Sequence, residues 1–144
     1  MNNGSQELRG TQVAQIFGAY TAGRVLLIAF GLLIILHLLV LTGAVSPDII
    51  WGGQLNGSGA NLLLLELLAI LISMLFILVI AARLGLVKAR LLHRSSKVGV
   101  WIIFGYLLLN TAGNLASGVA AENFFFAPIT IILALFALRL AIAR

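Results

Sequence analysis

The sequence predicts an all-α integral membrane protein, a bundle of four transmembrane helices with both termini in the cytoplasm. The chain is 62% hydrophobic and only 9% charged, whereas a soluble domain needs about 25% charged residues to cover its core. Four apolar runs each reach about 20 residues, enough to cross a hydrocarbon layer about 30 Å thick. The basic residues lie at the ends of these runs, as membrane topology requires.

The four predicted spans cover residues 25–45, 62–82, 98–119 and about 124–142. None of them alternates polar and apolar residues with a period of two. Because only helices or closed barrels satisfy their backbone inside a bilayer, continuous apolar runs predict helices. The four spans form one membrane domain, residues 24–144.

The segment before the first span, residues 1–23, is predicted to be a cytoplasmic tail with a candidate interfacial helix. Val13, Ile16, Phe17 and Tyr20 share one helical face, which would suit the membrane surface. A helix that simply continues into the first span explains this stripe equally well.

All nine basic residues fall on one side of this topology. On the other side, the only charged residues in the two connections are Asp48 and Glu122. The positive-inside rule makes the basic side cytoplasmic. The connection 46–61, SPDIIWGGQLNGSGAN, therefore faces outward. We expect the inner (plasma) membrane of a bacterium, with both termini inside.

Composition also excludes several classes of function. The chain has no cysteine, which rules out disulfides, thiol redox chemistry and cysteine-based zinc or iron–sulfur sites. The net charge of +5 is explained by topology, so no nucleic-acid partner is predicted.

One histidine and one glutamate within the spans fall short of the three protein ligands of a catalytic zinc site, and no metal is predicted. The cofactor, if there is one, is unknown, and no motif identifies a family.

Four polar residues within the spans are the candidate site: His37, Glu66, Asn110 and Asn114. Each is predicted to lie in the outer half of the bilayer, about 6–14 Å below the outer end of its span. Intramembrane polar groups are costly and mark functional sites. The hypothesis is a pocket in which Glu66 and His37 share a proton or hold a cationic ligand. An interhelical hydrogen-bond network that binds nothing explains the same residues equally well.

The outward connection supplies two further candidate residues, Trp51 and Gln54, which would cap this pocket. In that interpretation the connection folds back as a lid, and its glycines let the backbone approach closely. The favoured alternative is an interfacial loop whose tryptophan lies in the aromatic belt of the membrane.

The third span is rich in small residues, in the stretch NTAGNLASG at 110–118. Small residues four apart let helices approach closely, so this span is predicted to be the most buried of the four.

The sequence thus favours a non-catalytic accessory or structural subunit of a membrane assembly. Its expected partners are the lipid bilayer and either other membrane subunits or further copies of itself. The alternative is a homo-oligomeric, proton-linked transporter or channel for a small solute that uses the polar site. An enzyme acting on a lipid or quinone, with His37 and Glu66 as an acid–base pair, is the least favoured hypothesis because no nucleophile or metal site supports it.

Overall fold

The computed structural model describes residues 18–51, 61–87, 90–117, 120 and 122–143, and every regular element among them is helical. This confirms the all-α fold class. The elements are α1 (Ala19–Leu41), α2 (Asp48–Trp51), α3 (Leu62–Arg83), α4 (Arg90–Ala116), a π-helical turn (Glu122–Phe126) and α5 (Ala127–Ile142). Of the predicted N-terminal stripe, Tyr20 lies in α1, and Val13, Ile16 and Phe17 lie outside the described residues.

Four of these helices are long and apolar enough to cross a membrane: Ala19–Leu41, Leu62–Arg83, Ser95–Ala116 and Glu122–Ile142. The prediction of four spans is confirmed for helix length and apolar composition. Their ends differ from the predicted ones, most clearly in α1, which ends at Leu41 rather than at residue 45. Gly43 ends it with a φ of 75°, a conformation that glycine adopts without steric cost.

The core of the bundle lies between the four long helices and extends from their middles to the end where α3 and α5 finish. A chain of edge-to-face aromatic contacts crosses it: the rings of Phe30 and Phe76 lie 5.3 Å apart, and those of Phe76 and Tyr106 lie 5.0 Å apart. Around them pack the buried aliphatic side chains of Leu26, Ile80, Val100, Ile103, Leu107 and Leu140. Edge-to-face pairs contribute about 0.5–1.5 kcal/mol beyond their buried area.

At one end of the bundle, helices approach each other closely over glycines. A Cβ atom on Gly99 of α4 would lie 2.6 Å from Cγ1 of Val79 in α3. At the same end Arg83 Nε donates to the Leu140 carbonyl of α5 over 3.4 Å, and its Nη2 donates to the Ala143 carbonyl. We call this the basic end. The opposite end, where α1 ends and α3 begins, is the distal end.

The prediction that the third span is the most buried is wrong. The buried share is 28% in the fourth span and 22% in the third. The two spans differ in burial because their small residues face in different directions. On α5 the buried alanines recur at helical spacing: Ala127, Ala134, Ala137 and Ala141. On α4 the small residues of the distal half, Ala112, Gly113 and Ala116, are exposed on the outside of the bundle.

Candidate functional site

Two polar side chains meet at the distal end because their helices place them at the same depth. His37 lies four residues before the end of α1 at Leu41, and Glu66 lies four residues after the start of α3 at Leu62. At 1.5 Å per residue both are about 6 Å from their helix ends. The longer first span predicted from the sequence put His37 about 12 Å deep, so the early end of α1 brings the two residues level.

Glu66 is bound by two side chains from different elements. Its Oε2 lies 2.6 Å from His37 Nδ1, and its Oε1 accepts a hydrogen bond of 2.8 Å from Trp51 Nε1. The imidazole and indole ring centroids are 6.3 Å apart. Glu66 is 0% exposed and His37 is 3% exposed. The His37–Glu66–Trp51 cluster therefore joins α1, α2 and α3 through one buried carboxyl group.

The short helix α2 holds Trp51 over the cluster. It begins after Pro47, whose carbonyl accepts hydrogen bonds from Ile50 N and Trp51 N at 3.1 and 2.9 Å. Ser46 Oγ lies 3.3 Å from Asp48 Oδ2 and accepts from Asp48 N over 3.4 Å, as in the local turns that serine and aspartate favour. One helical turn thus turns the indole back toward α3.

The geometry limits how many protons the cluster can hold. The indole N–H only donates, so Glu66 Oε1 serves as an acceptor, and at 2.6 Å a single proton lies between His37 Nδ1 and Glu66 Oε2. With one more proton on His37 Nε2 the cluster is neutral overall. Its charge is then either separated, as imidazolium and carboxylate, or absent, as imidazole and carboxylic acid. Without that proton the cluster carries one negative charge.

The two asparagines of the predicted site make their hydrogen bonds within their own part of the chain. Asn110 Nδ2 donates to the Tyr106 carbonyl of its own helix over 3.0 Å. The carbonyl of Asn114 accepts from Ser117 Oγ over 3.1 Å. Among the described residues, no hydrogen bond joins either asparagine to His37 or Glu66, and both are half-buried at the edge of the exposed small residues of α4. Gln54 lies outside the described residues.

A buried carboxyl group in the π-helical turn escaped sequence reasoning. Glu122 stands at the start of the π-helical turn and is 3% exposed, and its Oε1 has no hydrogen-bond partner among the described residues. The sequence placed it in a connection, where a carboxylate would be solvated. No local sequence signal distinguishes the two cases, because burial here depends on how the turn packs on α4. The described residues contain no group of three or more potential metal ligands.

Comparison of the chain with protein-family models, with curated proteins and with solved structures found no match. What the chain does must therefore be argued from the chemistry of its own residues.

Proposed function

We propose that the protein is a non-catalytic subunit of a membrane assembly, which packs against another transmembrane helix through the distal half of α4. The observation that carries this proposal is the outward face formed by Ala112, Gly113 and Ala116. These residues are exposed, and a Cβ atom added to Gly113 would meet no atom within 4 Å. Small residues on a helix surface let a second helix approach closely, which lipid chains do not require.

Two polar amides flank this face and suit the same role. Asn110 and Asn114 are half-buried beside it. An amide both donates and accepts hydrogen bonds, so each can pair with a polar group on a neighbouring helix or with its own counterpart in a second copy. Such interhelical bonds contribute on average about 0.6 kcal/mol. These hydrogen bonds therefore set the orientation of the two helices, and close packing stabilises the contact between them.

The His37–Glu66–Trp51 cluster supports a structural role for the distal end. Both oxygens of Glu66 are engaged within the chain, by His37 and by Trp51. A buried polar group that is fully hydrogen-bonded fixes the position of its partners. Here it ties α2 to the ends of α1 and α3, at the same end of the bundle as the proposed contact.

The test uses the absence of cysteine from the chain. A single cysteine in Gly113→Cys carries a thiol-reactive photocrosslinker in native membranes, and Gly31→Cys on α1 is the matched control. Gly31 also has open space around its Cβ position. We expect a discrete protein adduct from position 113 and none from position 31. An adduct with the mass of a dimer identifies a second copy. Lipid adducts alone at both positions would contradict the proposal.

A second candidate function is a homo-oligomeric, proton-linked transporter or channel, with Glu66 as the proton carrier. The observation that favours it is the direct contact of two titratable side chains, His37 and Glu66, both buried in apolar helices. Intramembrane carboxyl and imidazole groups are the usual components of proton pathways. The pair exchanges between a neutral and an anionic state by moving one proton, and the anionic state attracts a small cation.

Proteoliposomes with a trapped pH-sensitive dye test this candidate. They are challenged with a panel of small cationic, anionic and neutral solutes. If solute and protons move together, at least one solute should change the lumenal pH with the wild-type protein. The same solute should not change it with Glu66→Gln, which keeps the shape of the side chain but cannot titrate. Equal responses of the two proteins would exclude Glu66 as the carrier.

A further inference from the structure

We propose that the His37–Glu66–Trp51 cluster is an acid-sensitive latch, which holds α2 on the ends of α1 and α3 and releases it when a further proton enters the cluster. The inference concerns the same pair as the second candidate function, yet it requires neither transport nor a partner. It states when α2 is held on the ends of α1 and α3 and when it is released.

The closed state depends on an acceptor between two donors. Glu66 Oε1 accepts from Trp51 Nε1 at 2.8 Å, and Oε2 shares a proton with His37 Nδ1 at 2.6 Å. A hydrogen bond to an ionised acceptor is about twice as strong as one between neutral groups. Trp51 is therefore held most firmly while Glu66 bears negative charge, either in the anionic cluster or in the ion-paired form of the neutral cluster.

Acid removes this arrangement. When the neutral cluster gains one more proton, His37 carries protons on both ring nitrogens and Glu66 is a carboxylic acid. The carboxyl proton then faces either His37 Nδ1–H or Trp51 Nε1–H, so two donors oppose each other at a distance suited to one donor and one acceptor. The net positive charge also lies in an apolar setting, and among the described side chains no other carboxylate bonds to it. Both effects separate α2 from the spans.

Other charged groups do not replace Glu66 as the acceptor. On α2 the Asp48 carboxylate is exposed and turned to Ser46 Oγ. On α4 the Tyr106 ring packs on Phe76, ten residues along α3 from Glu66, or about 15 Å. Glu122, at the distal end of the fourth span, makes no described hydrogen bond to the cluster. The remaining described ionisable groups, Tyr20, Arg24, Arg83, Lys97 and Arg139, lie toward the basic end.

Tryptophan fluorescence reports the latch directly. The chain has two tryptophans, and Trp101 is an exposed residue of α4 whose ring contacts Phe104 at 5.7 Å. Trp101→Phe keeps an aromatic side chain there and leaves Trp51 as the sole emitter. Emission and acrylamide quenching are then measured in detergent micelles from about pH 8 to about pH 4, the range around histidine titration. Far-ultraviolet circular dichroism follows helix content.

In Trp101→Phe we expect a reversible shift of Trp51 emission to longer wavelength and stronger quenching in acid, with helix content unchanged. His37→Gln in this background should lack the shift, because its amide can turn either the oxygen or the nitrogen toward Glu66 and so never opposes one donor with another. Glu66→Gln in the same background should keep the shift, because its amide N–H bonds to Nδ1 of neutral His37 and faces a second N–H once His37 gains a proton. If His37→Gln fails to fold, Glu66→Gln decides the matter. A constant emission in Trp101→Phe or in Glu66→Gln, the same shift in His37→Gln, or a shift that accompanies loss of helix would overturn the latch. None of these results would alter crosslinking at position 113.

Discussion

At the scale of the residue, Glu66 is the side chain on which the distal end depends. Its carboxyl group is fully buried, shares a proton with His37 and accepts a hydrogen bond from Trp51. Removing an acceptor from buried donors costs more than the bond itself contributes, because the donors remain without a partner. The consequences of a substitution therefore depend on whether the new side chain can still bond to both neighbours.

Glu66→Gln and Glu66→Leu should differ sharply in stability. Glutamine keeps an oxygen for Trp51 Nε1 and a group that can bond to His37 Nδ1, whereas leucine leaves the buried His37 Nδ1 and the half-buried Trp51 Nε1 without a partner. We expect Glu66→Leu to lose about 1–3 kcal/mol relative to Glu66→Gln. Unfolding in mixed detergent micelles measures the difference. If the two variants unfold at the same denaturant fraction, Glu66 does not hold the distal end.

The sequence was informative about which residues are unusual and uninformative about which of them meet. His37, Glu66, Asn110 and Asn114 stand out because polar side chains are rare in apolar spans. Their convergence depends on the rotation of each helix about its axis, which four nearly uniform apolar helices leave unspecified. The end of α1 at Leu41 also changed the relative depth of His37, and that end depends on a glycine turn rather than on hydropathy.

At the scale of the element, close approach of α3 and α4 near the basic end depends on one glycine. Gly99 leaves no room for a Cβ atom, which would lie 2.6 Å from Val79 Cγ1. Because the valine side chain is short, β-branched and held to one preferred rotamer in a helix, it cannot turn away, and the added methyl group forces the helices apart. The sequence pointed to the small residues of 110–118 in the other half of this helix and not to Gly99, because the side chain that fills the space opposite a glycine cannot be identified from the sequence.

Gly99→Ala should therefore destabilise the bundle by about 1–3 kcal/mol, the usual cost of overpacking. Val79→Ala in the same chain should restore most of the loss, since it removes the atoms that clash. Gly105→Ala on the same helix is the control, because its Cβ position is open, and the greater helix propensity of alanine should leave it neutral or slightly stabilising. Thermal unfolding followed by circular dichroism measures all four proteins. Equal stability of Gly99→Ala and Gly105→Ala would show that α3 and α4 are not in close contact here.

At the scale of the whole molecule, the four apolar spans could be predicted from length and hydropathy because a bilayer imposes both. The outer surface could not, since an apolar residue that faces lipid and one that faces a partner helix look alike in sequence. Only the assembled bundle separates them: α5 turns its alanines inward, whereas α4 turns Ala112, Gly113 and Ala116 outward. That contrast is the basis for the proposed subunit role.

Native mass spectrometry of the protein released gently from its own membranes tests this role most directly. The account predicts that the wild-type chain and Gly31→Leu leave the membrane bound to at least one further protein chain, foreign or identical. Gly113→Leu should leave as a monomer, because the leucine fills the contact face from a position where an added Cβ atom meets no atom of the bundle within 4 Å. A wild-type protein released only as a monomer with lipids, or a complex that survives Gly113→Leu unchanged, would contradict the account.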